Sequence, residues 1–163
     1  TYRVSTRTQS EDTLRTFSFL RAACARERET ARACRLLERD EPILPLSARN
    51  EAAALALLDR ACEQALSQFD TTPEQDDALL AEPDLPINLR NALLVRRGEK
   101  RVLQSYRRLA AEAAPLLRLP REGFFVAALE YKGEGPTTSY LTDVALALAP
   151  RELRLPALRS AAD

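Results

Sequence analysis

The chain contains no histidine among its 163 residues. That removes Ser-His and Cys-His nucleophilic pairs, histidine-ligated zinc and imidazole acid–base chemistry. Glycine is scarce: Gly98, Gly123, Gly133 and Gly135 are the whole set. Neither GxGxxG nor GxxxxGK[ST] can be written from them, so the usual phosphate-cradling loops are excluded. Three cysteines, Cys24, Cys34 and Cys62, show no CxxC spacing. A metal site built on them would need a fourth ligand other than histidine. An odd count on helical segments reads instead as unbridged thiols in a reducing, intracellular compartment. Neither sign of charge is in excess, with 24 Lys+Arg against 24 Asp+Glu. A globally basic nucleic-acid binder is not indicated. No apolar run approaches the roughly 18 residues of a spanning helix. The N-terminus shows no basic-then-apolar signal, although a processed chain would have lost one.

What is present is enough apolar material for a core, at 45% of residues against 29% charged. The length suits one domain, or one domain with an extension. In the first forty residues Ser10 can cap a helix, with Glu11 and Asp12 in its positive first turn. Leu14, Phe17, Leu20 and Cys24 follow at helical spacing. The alternating charges from Arg26 to Arg39 read as a solvated helix face, on one helix or two, ended by Pro42 and Pro45. A second helix is expected from Ser47, its N-cap, to about Phe69. Its apolar seam runs through Leu55, Leu58, Cys62, Ala65 and Phe69. Thr72, Pro73 and Gln75 then spell a capping box with a proline start. From Asp70 to Asp84 there are six acids and no base. Paired carboxylates such as Asp76 and Asp77 are capable of acid–base or metal work. The simpler reading is that they complement the positive end of a short helix.

A long helix is expected from Pro86 to about Ala113. On a wheel of roughly 100° per residue, Ala92, Val95, Glu99, Val102, Tyr106, Leu109 and Ala113 form one seam, flanked by Leu103 and Ala110. Arg90, Arg96, Arg97, Lys100, Arg101, Arg107 and Arg108 fall opposite. Gly98 in mid-helix costs about 1 kcal/mol relative to alanine, which points to a close contact or a bend there, so that Gly98→Val would crowd a neighbour. Glu99 interrupts the seam and, as a buried carboxylate, should meet an arginine or a backbone N–H. Beyond Pro115, Phe124 to Tyr131 suits a strand, Lys132 to Pro136 a turn, and Thr137 to Leu148 a returning strand or a helix. The expected fold class is mainly α. A bundle of long amphipathic helices fills residues 1–114, with an irregular or small-β extension over 115–163.

Three ordered pieces carry a family resemblance. They are Leu46-Ser47-Ala48-Arg49-Asn50-Glu51, then Thr71-Thr72-Pro73-Glu74-Gln75-Asp76-Asp77-Ala78-Leu79-Leu80, then Leu89 to Leu103 with Arg97-Gly98-Glu99-Lys100 at its centre. From Leu46 to Leu109 the chain resembles the C-terminal substrate-binding domain of SET proteins of the Rubisco lysine methyltransferase type. The resemblance implies an all-helical module that follows a catalytic SET domain and helps present a lysine of a protein substrate. Catalysis itself is not implied for this chain, which lacks the Asn-His motif of a SET domain and any Gly-rich segment for S-adenosylmethionine. That donor, and a SET domain in cis, would belong to a longer parent. A plastid location is implied in the same way.

On this reading a protein partner is met through the exposed basic side of the long helix, by Arg96, Arg97, Lys100 and Arg101. Glu99, Gly98 and Thr72 are expected to be structural. The alternative is a non-catalytic scaffold subunit of a large assembly, such as a plastid transcription complex, that keeps only the binding fold. A nucleic-acid role for the basic helix is opposed by the acidic stretch before it, which favours self-pairing, and by the zero net charge.

Overall fold

The computed structural model describes residues 6–39, 41–133 and 136–149, with the backbone alone described over 6–14. Seven helices, and no strand, occur among them: α1 (Thr6–Ala23), α2 (Glu27–Glu38), α3 (Ala48–Leu66), α4 (Pro73–Leu80), α5 (Ile87–Leu117), α6 (Arg121–Glu130) and α7 (Pro136–Leu148). No helix among the described residues is long and apolar enough to cross a membrane. Two compact units divide the chain. One comprises Thr1–Ala54 with Ala113–Asp163, the other Leu55–Glu112.

In the first unit, α1 packs on α2 and α6 on α7. α1 already begins at Thr6, so Ser10 lies inside the helix and does not cap it. The side chains of Ser10 and Leu14 lie outside the described residues. Phe17, Ala33, Ile43, Phe124, Ala128, Leu141 and Val144 are buried. The expected β extension is corrected here. Phe124 to Leu129 is a short apolar run whose content suits strand and helix alike, and the chain resolves it as α6, which buries Phe124 and Ala128 four residues apart. Pro136 is the first residue of α7, where its missing N–H costs nothing. Thr137, Leu141, Val144 and Ala145 then recur at helical spacing on the buried side.

In the second unit, Leu55, Leu58 and Cys62 of α3 are buried, as their spacing predicts. The start of α3 belongs to the first unit, where Ser47 Oγ accepts from Asn50 N at 3.1 Å and caps the helix. Thr72 Oγ1 accepts from Gln75 N at 3.3 Å, and Gln75 Oε1 accepts from Thr72 N at 2.7 Å. That reciprocal pair starts α4. α5 runs unbroken through Gly98 and carries Pro115 only in its last turn. Leu93, Leu109 and Ala110 are its buried apolar residues within this unit.

Candidate functional site

The candidate site is the pairing of α4 with α5, which carries all four residues Arg96, Arg97, Lys100 and Arg101. Asp76 sits in the first turn of α4 and is fully buried. Its Oδ1 accepts from Arg96 Nη2 at 2.5 Å and from Thr71 Oγ1 at 2.8 Å. Its Oδ2 accepts from Lys100 Nζ at 2.7 Å. Lys100 also donates to Thr71 Oγ1 at 2.7 Å and lies 5.0 Å from the centre of the Phe69 ring. Burial alone would raise the Asp76 pKa, but the hydrogen bonds from Lys100, Arg96 and Thr71 outweigh it and hold the carboxyl at about 2. Asp77 repeats the arrangement one residue on, accepting from Arg97 Nη1 at 2.5 Å and Arg101 Nη2 at 2.7 Å. The Arg97 hydrogen bond chiefly holds its carboxyl below the usual range. Arg90 then donates to the carbonyls of Leu80 and Glu82 at 3.1 Å, satisfying backbone at the end of α4.

This geometry inverts the expected wheel over the first half of α5. The basic side, expected to face a partner, is the side packed on α4. Lys100 is buried, Arg96 and Arg97 are half-buried, and Arg101 alone of the four remains exposed. The expected apolar seam faces outward instead: Val95 is 62% and Val102 54% exposed, and Glu99 is exposed. Glu99 is therefore not the buried carboxylate of a core seam. Gly98 meets no neighbour, since a Cβ built there finds nothing within 4 Å, so the crowding expected of Gly98→Val is withdrawn. The physical reason is the acidic segment just upstream. Carboxylates that accept two or three charged hydrogen bonds compensate the desolvation of the bases. The Arg and Lys stems bury apolar surface on the way. From Leu109 onward the seam is buried as expected, at Leu109 and Ala113.

A second buried cluster was not anticipated from the sequence. Arg21 donates from Nε to Glu51 Oε2 at 2.8 Å, from Nη2 to Oε1 at 2.6 Å, and from Nη1 to the Ile43 carbonyl at 2.7 Å. Tyr140 donates its hydroxyl to Glu51 Oε1 at 2.8 Å, and its ring lies 5.3 Å from that of Phe17. Burial first, and the Glu51 charge second, push the Tyr140 pKa well above its ordinary value, so it stays a donor. Spacing marks one member alone: stepping back four residues from Leu55 along the α3 seam lands on Glu51, but its partners lie 30 and 89 positions away. This cluster is structural, with every charged donor directed inward.

Open clefts occur among the described residues. One of about 400 Å³ is lined by Asp59, Leu66, Gln104, Arg107, Arg108 and Ala111. In it Arg107 is engaged by Asp59 at 3.0 Å and Glu63 at 3.3 Å. Another, about 260 Å³, is mainly apolar, with Phe124, Phe125, Leu119 and Leu148 around Arg121. Among the described residues no three metal-ligating side chains are grouped to hold an ion.

Comparison with known proteins gives two relatives and a family. The chain is 49% identical over 61 residues to the chloroplastic [fructose-bisphosphate aldolase]-lysine N-methyltransferase of Arabidopsis thaliana. It is 43% identical over 61 residues to the chloroplastic ribulose-1,5 bisphosphate carboxylase/oxygenase large subunit N-methyltransferase of Nicotiana tabacum. Each match takes in 37% of this chain, and the chain spans only 13% and 12% of those relatives' lengths. No solved structure matches. The family model described as Rubisco LSMT substrate-binding matches residues 5–103, more than half of the chain. The protein belongs to the Rubisco LSMT substrate-binding family.

Proposed function

We propose that this chain is the docking module of a protein-lysine N-methyltransferase, holding a protein substrate so that a lysine reaches a catalytic domain outside the chain. The observation that carries this reading is the family match over residues 5–103, together with two relatives named for methylation of aldolase and of the Rubisco large subunit. The mechanism is positional: binding energy from a remote surface is used to fix the reacting lysine near its methyl acceptor geometry. A SET domain in cis and S-adenosylmethionine bound to that domain complete the reading. A plastid location goes with it, since both relatives are chloroplastic by name.

The contact surface on this reading is the outward side of α5. Arg101, exposed and paired with Asp77, is accessible to a partner, whereas Lys100 is buried. The test is binding of the purified chain to fructose-bisphosphate aldolase and to Rubisco, by surface plasmon resonance, with radiolabelled methyl transfer by the full-length parent. Saturable binding to one of them, and label on a lysine of that protein, are expected. A parent that binds and labels neither overturns the reading.

A further inference from the structure

Arg28, Arg32, Arg35 and Arg39 of α2 follow one another at spacings of four, three and four. On a wheel of about 100° per residue they fall within roughly 60° and so form one row, about 16 Å long. All four are exposed, and none makes an ion pair among the described residues. The bases of α5 are treated otherwise: Arg96 and Lys100 meet Asp76, Arg97 and Arg101 meet Asp77, and Arg107 meets Asp59 and Glu63. Three acids do accompany α2, but Glu29 is committed to Ser47 Oγ at 2.7 Å and to Arg26 N at 3.2 Å. Glu27 and Glu38 are exposed and stand to one side of the row. Like charges at i, i+3 and i, i+4 weaken a helix. Here Arg28 with Arg32, Arg32 with Arg35 and Arg35 with Arg39 are all such pairs. Packing gives little in return, since Ala33 is the one buried residue of α2. Arg35 and Arg39 suit the negative end of the helix, but Arg28 lies in its first turn, where positive charge is unfavourable. A row that weakens its own helix is explained by negative charge arriving from outside.

The surroundings of the row say which anion fits. α2 carries no aromatic side chain on which a base could stack, and a chain of zero net charge gives a nucleic acid no long-range attraction. The exposed residues beside the row, Ala31, Glu27 and Glu38, offer a bilayer neither apolar bulk nor charge of the right sign. A second copy of α2 would set arginine against arginine. A single narrow row matches instead a helix that repeats a carboxylate every three or four residues, each taken by a guanidinium fork. We propose that the row Arg28, Arg32, Arg35 and Arg39 docks an acidic helix of the partner protein whose carboxylates recur at the same interval. This deepens the docking reading above, adding a contact in the first unit, and rests on that reading for the partner being a protein.

The test uses the whole chain and a labelled helical peptide of about 16 residues, with glutamate at i, i+4, i+7 and i+11 among alanines and glutamines. An isomer with the same glutamates scattered round the helix is the control, read by fluorescence anisotropy. The row peptide is expected to bind at least about tenfold more tightly than the isomer, and less tightly as salt rises. Arg28→Gln combined with Arg32→Gln should weaken it about tenfold or more, and the corresponding lysine pair by less, since charge stays and the fork goes. The glutamine variant should melt at or above the wild-type temperature, because a like-charge pair is relieved. Equal affinity for the two isomers overturns the row, as does wild-type affinity in the glutamine variant. Capture of a single-stranded oligonucleotide or of phosphatidylserine vesicles, without the peptide, overturns it in favour of that other surface. The two readings fail separately. If the peptide ignores the row and the glutamine variant captures aldolase or Rubisco as the wild type does, the row falls and docking stands. If the peptide needs the row but neither protein is captured, docking falls and the row stands.

Discussion

Glu51 and Asp76 are both fully buried carboxylates answered by basic side chains, yet they are held differently. Glu51 faces one guanidinium, that of Arg21, which grips both its oxygens, and the Tyr140 hydroxyl completes the set. Arg21 is itself buried, with its remaining contact on the Ile43 carbonyl. Asp76 faces two cations and a hydroxyl, and one of those cations, Arg96, has a side chain 37% exposed. The first arrangement is a closed pair within the core. The second is an anion shared between a buried ammonium and a guanidinium that can turn to water. What this teaches is that burial of a charge is set by where its partners can go, as much as by its own depth.

Removal of each acid should therefore differ in cost. Glu51→Ala strands Arg21 with no exit, and about 5 kcal/mol of unfolding free energy should be lost. Asp76→Ala strands Lys100, but Arg96 escapes to solvent and Thr71 still accepts from Lys100, so about 3 kcal/mol is expected. Urea denaturation of both variants checks the order, and a larger loss for Asp76→Ala would break the comparison. Next in size, Tyr140→Phe keeps the ring contact with Phe17 and removes one hydrogen bond to a charged group, for a loss of about 1.5–3 kcal/mol by the same measurement. A pH series sharpens the Asp76 side. Its carboxyl titrates lower in the folded chain than unfolded, at about 2 against 3.8. Its contribution is therefore present above about pH 4 and lost as pH falls toward about 2. Thermal melts over that range should show a shallower decline for Asp76→Asn than for the wild type, and parallel declines would count against the assignment. The smallest effect is expected from Arg101→Ala, whose exposed pair with Asp77 is screened by solvent, so that its urea midpoint should stay closest to that of the wild type.

How much of this was legible in the sequence varies by element. The α3 seam and the Thr72 cap are local, and spacing alone exposes them. The same wheel misplaced the first half of α5, because apolarity was ranked above pairing. Val95 and Val102 looked like core and the bases looked like surface. The six acids between Asp70 and Asp84 were the contrary signal, and Asp76 with Asp77 turned the basic side inward. The α6 segment misled for another reason: six consecutive apolar residues from Phe124 to Leu129 carry no period to read. The Arg21–Glu51–Tyr140 cluster joins residues 30 and 89 positions apart, and no local pattern marks a pairing of that reach.

The two carboxylates of α4 are adjacent, and the bases that meet them on α5 form two rows, 96 with 100 and 97 with 101. Such rows act as a vernier. Sliding α4 by a single residue would hand Asp77 to the pocket shaped for Asp76 and leave Ala78 facing two arginines. Arg90 pins the end of that scale, since it donates to the Leu80 and Glu82 carbonyls where the connection to α5 begins.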